Sequence, residues 1–298
     1  MDRQTQLRAY LQIDTAKNWR KLSRRIAVDK YRGKLWTFTR SISAILVIPL
    51  VITSIVLLKD KMDYENRPVE QVTISSARGI VTKIILPDES EVWLNSGSTL
   101  SYPKLFTGTV RSVSLSGEAY FRVSADKANR FVVSTDKGLS VSAYGTEFNV
   151  CAYGDEQTID ATLVSGNMEV NIASSEKSDA VKIGREQQIS FDKKSGLFAV
   201  KNISIAVETS WKDGKMIFRR ANMDEVIRRL SRHYNVDIRL EDAELQDYEY
   251  SATFTTETLE EILYLLETSA PIKCKMLYPE QVEDYSFKKR TVIISLKK

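Results

Sequence analysis

From Gly79 to about Ile203 the chain alternates apolar and polar residues with a period of two. Val92 and Leu94 alternate with Glu91, Trp93 and Asn95, and Val113 and Leu115 alternate with serines. Ala119, Phe121 and Val123 share one face, as do Leu139, Val141 and Ala143. Phe148, Val150 and Ala152 repeat the pattern, then Ile159, Ala161 and Leu163, then Met168, Val170 and Ile172. Successive side chains of a strand point to opposite faces, so each run predicts a strand buried on one side. Turn signals fall between the runs: Pro87-Asp88, Asn95-Ser96-Gly97, Ser116-Gly117, Lys137-Gly138, Ser165-Gly166-Asn167 and Lys194-Ser195-Gly196. Many short strands with close turn spacing predict an all-β sandwich, barrel or roll over 76–205. No amphipathic pattern of helical length interrupts it.

After Trp211-Lys212-Asp213-Gly214 the pattern changes. Lys215–Arg219 reads as a short strand. Asn222 can cap a helix with Glu225 at the capping-box position, and Met223, Val226, Ile227, Leu230 and Tyr234 form its apolar stripe. Val236–Leu240 and Tyr248–Phe254 read as strands. Thr258 and Glu261 can cap a second helix carrying Leu259, Ile262, Leu263 and Leu266. Ile272–Tyr278 and Thr291–Leu296 close the chain as strands. The order β-α-β-β-α-β-β predicts a small α+β domain over 211–298 whose halves are loosely alike.

Near the N-terminus the pattern is different again. Ser41 to Leu58 runs eighteen residues without a charge, bounded by Arg40 and Lys59. At about 1.5 Å per residue this spans roughly 27 Å, enough for a bilayer core, and Trp36 lies where an interfacial aromatic is expected. A cleaved signal peptide would start nearer the terminus and end in small residues. A buried core helix would not be apolar on every face. The segment therefore predicts one transmembrane helix over 41–58, with Pro49 as a mild kink. Residues 59–75 are polar and aperiodic and predict a linker. The expected fold is thus mostly β, with a small α+β C-terminal domain and one N-terminal transmembrane helix.

Charge sharpens this picture. Residues 1–40 hold eleven Lys or Arg against three acids, a balance of +8. The whole chain of 298 residues is only +4, so the rest carries a net −4. The positive-inside rule then puts residues 1–40 in the cytoplasm and the C-terminal bulk outside it, in the periplasm. The basic excess belongs to the short terminal segment, so it gives the body no case for direct DNA binding.

Candidate chemistry is sparse. His233 is the only histidine, which excludes a histidine metal cluster and argues against a Ser-His-Asp triad. Phosphate-binding, dinucleotide-binding and nucleophile-elbow motifs are absent. Cys151 and Cys274 are the only cysteines, 123 residues apart, and read as unpaired. Adjacent acids such as Asp155-Glu156 and Glu260-Glu261 read as solvated surface charge. Lys288-Lys289-Arg290 reads as solvating the edge of the last strand. No cofactor, metal or enzymatic activity is expected. On the N-terminal segment Asp14 can cap a helix in which Thr15, Trp19, Leu22 and Ile26 form a stripe, with Lys17, Arg20, Lys21, Arg24 and Arg25 opposite. Such a helix fits either a protein partner or the anionic membrane surface, and membrane lipid is an expected contact.

Four ordered motifs resemble a known family. They are Leu86-Pro87-Asp88-Glu89-Ser90-Glu91-Val92-Trp93-Leu94-Asn95-Ser96-Gly97-Ser98-Thr99-Leu100-Ser101-Tyr102-Pro103, then Leu115-Ser116-Gly117-Glu118-Ala119-Tyr120-Phe121-Arg122-Val123, then Phe131-Val132-Val133-Ser134-Thr135, then Tyr144-Gly145-Thr146-Glu147-Phe148-Asn149-Val150. Leu163-Val164-Ser165-Gly166 resembles a later turn. The chain is similar in these to FecR-type proteins. From Trp211 on it resembles the C-terminal module of Bacteroidetes members, a relative of the short secretin/TonB N-terminal fold. The resemblance implies a transmembrane anti-sigma factor that binds an extracytoplasmic-function sigma factor in the cytoplasm. It also implies a periplasmic end that senses the signalling domain of a TonB-dependent outer-membrane receptor, controls nutrient-uptake genes and releases the sigma factor through regulated proteolysis. The stripe Thr15, Trp19, Leu22 and Ile26 resembles the last helix of the family's cytoplasmic domain, and the resemblance gives it the sigma contact. A different reading from the residues is a membrane-anchored periplasmic module for glycan or another ligand, with Trp93 and Trp211 as stacking platforms. The chain departs from the family at Glu89, where glycine is usual, and this predicts a type I turn that does not require glycine. It departs also in the brevity of its cytoplasmic end.

Overall fold

The computed structural model describes residues 19–28, 30, 49–59, 70–136, 138–173, 178–278 and 289–297. The chain divides into two compact units, Met1–Pro68 and Val69–Lys298. The first contributes helix α1 over 19–28 and helix α2 over 49–59. Helix α2 coincides with the later part of the expected span. Among the described residues no helix is long and apolar enough to cross a membrane, and residues 41–48 lie outside them.

The second unit opens with β1 (Gln71–Ser75), so the end of the expected 59–75 linker is a strand. The reason is packing. Val72 and Ile74 lean on the hydrophobic core, and β1 pairs antiparallel with β4 (Thr99–Pro103). Between them lie β2 (Thr82–Ile85) and β3 (Glu91–Leu94), and after them β5 (Val110–Arg122), β6 (Arg130–Thr135), β7 (Leu139–Ala143) and β8 (Glu147–Ala152). The domain closes with β9 (Thr158–Ser165), β10 (Met168–Ala173), β11 (Ser178–Ile183), β12 (Gln187–Asp192) and β13 (Phe198–Asn202). The alternation read from the sequence is the observed one: Val113, Leu115, Phe121, Val141, Val150, Ala161 and Val170 are all buried in a single core. Phe121 stacks on Phe148 at 5.0 Å between ring centroids, and Phe131 tilts against Phe121 at 6.0 Å.

One strand ties the two sheets of this domain together. The first half of β5 pairs with β4 and β6, and the second half, from Gly117 on, pairs with β3 and β8. The change of sheet falls at Gly117, which has φ +100°. A Cβ there would lie 2.4 Å from Ser98 Oγ and 2.7 Å from the Ser98 backbone, so no other residue fits without moving the chain. The Glu118 amide donates to Ser98 Oγ at 2.8 Å and fixes the corner.

The Pro87-Asp88 motif closes the β2–β3 hairpin. The Glu89 amide donates to the Leu86 carbonyl at 3.0 Å, and the Leu86 amide to the Ser90 carbonyl at 2.8 Å. Glu89 has φ +65°, the left-handed conformation that glycine adopts freely. The central residues Pro87 and Asp88 have no positive φ, as the expected type I turn requires; the position that favours glycine is the one after them, where Glu89 bears a cost of order 1 kcal/mol. The turn is held from outside. Asp88 accepts from the Ser90 amide at 3.1 Å and pairs with buried Arg111 at 2.6 Å. Arg111 also donates to the Ser124 and Asn129 carbonyls, which satisfies a guanidinium only 3% exposed.

The second domain follows the predicted order: β14 (Met216–Asn222), α4 (Met223–Tyr234), β15 (Asp237–Leu240), β16 (Glu249–Phe254), α5 (Leu259–Ser269), β17 (Ile272–Leu277) and β18 (Thr291–Leu296). A short helix, α3 (Ile205–Thr209), and a 3-10 turn, Ser210–Asp213, join it to the first domain. Asn222 caps α4 by accepting from the Glu225 amide at 2.8 Å. Thr258 and Glu261 form the full capping box on α5. β14 pairs with β16, and a three-stranded sheet has the order β15-β18-β17. The final strand is therefore central, parallel to β15 and antiparallel to β17. This corrects the reading of it as an edge, because Val292 and Ile294 are needed inside the second core.

Substituting Gly117 by Ala should cost at least about 3 kcal/mol. The same change at Gly97, with φ +69° and its nearest contact at 3.8 Å, should cost about 1 kcal/mol. Urea denaturation of the two variants measures the difference, and equal costs would mean that the β5 corner is not sterically fixed.

Candidate functional site

On α1 the predicted stripe stands clear of cover: Trp19 is 68%, Leu22 51% and Ile26 58% exposed. Thr15, the first member of the stripe, lies outside the described residues. The three residues fall at i, i+3 and i+7 and share one face, with Lys21, Arg24 and Arg25 exposed on the rest of the helix. A helix this short is marginal in water on its own, and covering the stripe is what would stabilise it.

In the second unit the polar chemistry concentrates where the two domains meet. The apolar stripe of α4 faces its own core through Met223, Val226 and Leu230. The opposite face carries Arg228, Arg229 and Arg232 towards the β-domain. Arg232 pairs with Glu156 at 2.5 Å and Asp155 at 3.0 Å, and Arg228 pairs with Glu156 at 3.3 Å. The Arg232 guanidinium also lies 4.0 Å above the ring of Tyr153. Tyr153 in turn donates to the Ser96 carbonyl at 2.9 Å, and Ser96 Oγ donates to the Arg232 carbonyl at 2.8 Å. The β8–β9 turn that presents the two acids is held by Lys193, which donates to the Tyr153 and Glu156 carbonyls at 2.5 and 2.7 Å. Arg229 donates to the Ile217 and Val207 carbonyls at 2.9 and 3.2 Å and so ties α4 to β14 and α3.

Beside this latch lies a cleft of about 290 Å³. Glu118, Asp160 and Glu208 open into it, from β5, β9 and α3. Glu118 follows the Gly117 corner, and Asn95 and Asn149 donate to its carboxylate at 2.7 and 2.9 Å. Burial pushes its pKa up, against the pull of those two amides and of Arg229 and Arg232. Burial raises Asp160 as well, opposed by Ser190 and Thr158. The Glu208 carboxylate has no hydrogen bond or ion pair among the described residues. Burial pushes it up to about 7, with Arg229 opposing and Glu118, Glu225 and Asp160 adding to the rise. Trp211 lines the same cleft, 8% exposed, with its indole N–H unpaired. The cleft can therefore take up protons near neutral pH. Among the described residues no group of three His, Cys, Asp or Glu side chains is placed to hold a metal.

His233 sits at this wall, edge-on to Tyr234, and burial lowers its pKa. Cys151 and Cys274 are free and partly buried, and burial raises both thiols, Cys274 to about 12. Trp211 is buried, and Trp93 is flanked by Lys83 and Arg122 and packs edge-on against Tyr120, so neither offers an open face to a sugar. Asp155-Glu156, read as solvated charge, is the acidic half of the latch. Glu260-Glu261 is also engaged: Glu260 pairs with Arg290 at 3.4 Å and Glu261 caps α5. Glu118 and Glu208 escaped the sequence reading. A polar residue directly after a strand-breaking glycine was the available signal for Glu118, and Glu208 gave none. The arginine triad of α4, at i, i+1 and i+4 opposite an apolar stripe, was legible as a second contact face.

Two family models match the chain: "FecR protein" over residues 72–182 and "FecR, C-terminal" over residues 215–282, together well over half of it. Two crystal structures of a candidate anti-sigma factor from Parabacteroides distasonis ATCC 8503 are similar. The one at 1.65 Å resolution is 27% identical with a TM-score of 0.63, and covers 75% of this chain and 98% of that one. The one at 2.50 Å is 27% identical with a TM-score of 0.64, and covers 77% and 100%. Among curated proteins none matches.

A carboxyl whose pKa rises on folding binds its proton more tightly in the folded state. Its penalty is absent below the unfolded pKa near 4.5, and grows as pH climbs through the folded value of about 7. Glu208→Gln should thus leave stability unchanged at pH 4.5 and raise it at pH 8. Thermal melts at the two pH values check this, and an equal shift at both would remove the titration from Glu208.

Proposed function

The chain belongs to the FecR family of anti-sigma factors, and from that membership we propose that it is a single-pass inner-membrane regulator that relays a periplasmic signal to an extracytoplasmic-function sigma factor. The uncovered stripe Trp19, Leu22 and Ile26 on the basic helix α1 carries this reading, because it is an apolar face with a defined period and no cover of its own. Residues 1–40 lie in the cytoplasm and hold the sigma factor through that stripe. Residues 41–58 span the membrane. In support, Leu50, Val51, Ile52, Ile55, Val56, Leu57 and Leu58 of α2 are exposed on every face of the helix. Thr53 satisfies its hydroxyl inside the helix, donating to the Pro49 carbonyl at 2.8 Å, as hydrocarbon surroundings demand.

The two β-rich domains form the periplasmic body and receive the signalling domain of a TonB-dependent outer-membrane receptor. Sheet edges at β15 and β17 leave backbone groups free for strand addition. The protein acts by binding and release and performs no catalysis.

With the full-length chain in detergent, the partner sigma factor should co-purify. Leu22→Asp and Ile26→Asp should each weaken that association by roughly 50-fold or more, since each removes a buried aliphatic contact and inserts a charge. Unchanged co-purification would move the sigma contact off this stripe.

A further inference from the structure

On the other side of the Arg232 latch a second hollow, of about 590 Å³, opens between the two domains. Four cations and two carboxylates line it, a net excess of positive charge. The carboxylates are engaged: Asp155 pairs with Arg232, and Asp237 with Arg239 at 2.6 Å. Arg228 and Arg232 are engaged with Glu156. Two cations are left over. Arg78, on the β1–β2 connection of the first domain, runs across the Asn95–Ser98 turn; its Cγ lies 3.8 Å from the position a Gly97 Cβ would take. Lys289, just before β18 of the second domain, faces the same hollow. Neither has a hydrogen bond or ion pair among the described residues. They repel each other: Lys289 is lowered by burial and further by the charge of Arg78, with Asp237 and Asp155 opposing.

Two cations without partners, from different domains and lining one hollow, repel each other weakly in water and are favourably placed around an anion. The volume is that of a small-molecule site. Donors on both banks suit a ligand with two negative charges. We propose that this hollow binds a small dianion, a phosphate or dicarboxylate free in solution, with Arg78 and Lys289 holding it from opposite domains. Occupancy then braces the domain seam from the side that the latch leaves open, and links a soluble metabolite to the rigidity of the body. The site goes beyond the relay proposed above and stands or falls without it.

The test is a thermal melt of the full-length chain in detergent against inorganic phosphate, and in a separate arm against succinate, with ionic strength held constant by sodium chloride. A saturable rise of at least about 3 °C is expected in one arm or both. The double variant Arg78→Gln/Lys289→Gln should lose that rise and, without anion, melt close to the parent, because neither side chain has a hydrogen bond or ion pair to lose. Both residues are exposed, so folding is not at stake. Arg185→Gln, an exposed cation elsewhere, should keep the rise. No rise in the parent, or the same rise in the double variant, overturns the site and reduces the effect to general salt stabilisation.

Discussion

The body of this protein hangs on a single steric constraint, the contact of Gly117 with Ser98. A strand of thirteen residues can serve two sheets only if it turns sharply in the middle. Here the turn is made where the backbones come too close for any side chain. The first half of β5 then builds the sheet that carries β6, β7 and β10, and the second half the sheet that carries β8, β9 and β12. Both layers close on one core of large residues, Phe121, Phe131 and Phe148 among them. The same corner decides what comes next in the chain. Glu118, whose amide is fixed by Ser98, is delivered to the domain seam.

The seam sorts charge. The Arg232–Glu156–Asp155 latch, laid on Tyr153, divides it into a hollow rich in carboxylates and a hollow rich in cations. Neither polarity could be sustained alone. Carboxylates crowded beside each other favour protonation, and cations crowded beside each other favour an anion. The arginine between them answers to both. It lies 20% exposed, partnered on its side chain and through its carbonyl, so that moving α4 relative to the β8–β9 turn disturbs every contact at once. For a member of an anti-sigma factor family, a junction of polar and charged contacts is more responsive than a greasy one. Its strength depends on protonation and on small ions, whereas apolar burial does not.

Strand-by-strand, the fold was legible because one-sided burial imposes a period of two. The sequence pattern of Val141 and Val150 is therefore the burial pattern itself. The second domain was legible through its caps, since Asn222 and Thr258 mark helix starts by local chemistry alone. Three things were not legible, for a common reason. The left-handed Glu89, the internal place of β18 and the engagement of Asp155-Glu156 are set by residues distant in sequence: Arg111, Asp237–Leu240 and Arg232. Local pattern reports which groups want burial or pairing, and is silent on where the partner comes from. The stripe Trp19, Leu22 and Ile26 was readable for the same local reason as the strands.

The internal position of β18 has a consequence for how the second domain comes into being. Its parallel partner β15 is made some fifty residues earlier, and its antiparallel partner β17 must wait beside an unfilled gap until Thr291–Leu296 arrives. The helix caps act locally, but the three-stranded sheet needs all three of its strands. Long-range parallel pairing of this kind is intrinsically slow, because the loop must close before any contact rewards it. A chain without Thr291–Leu296 would present two strand edges and a core lacking Val292 and Ile294, the kind of surface that aggregates.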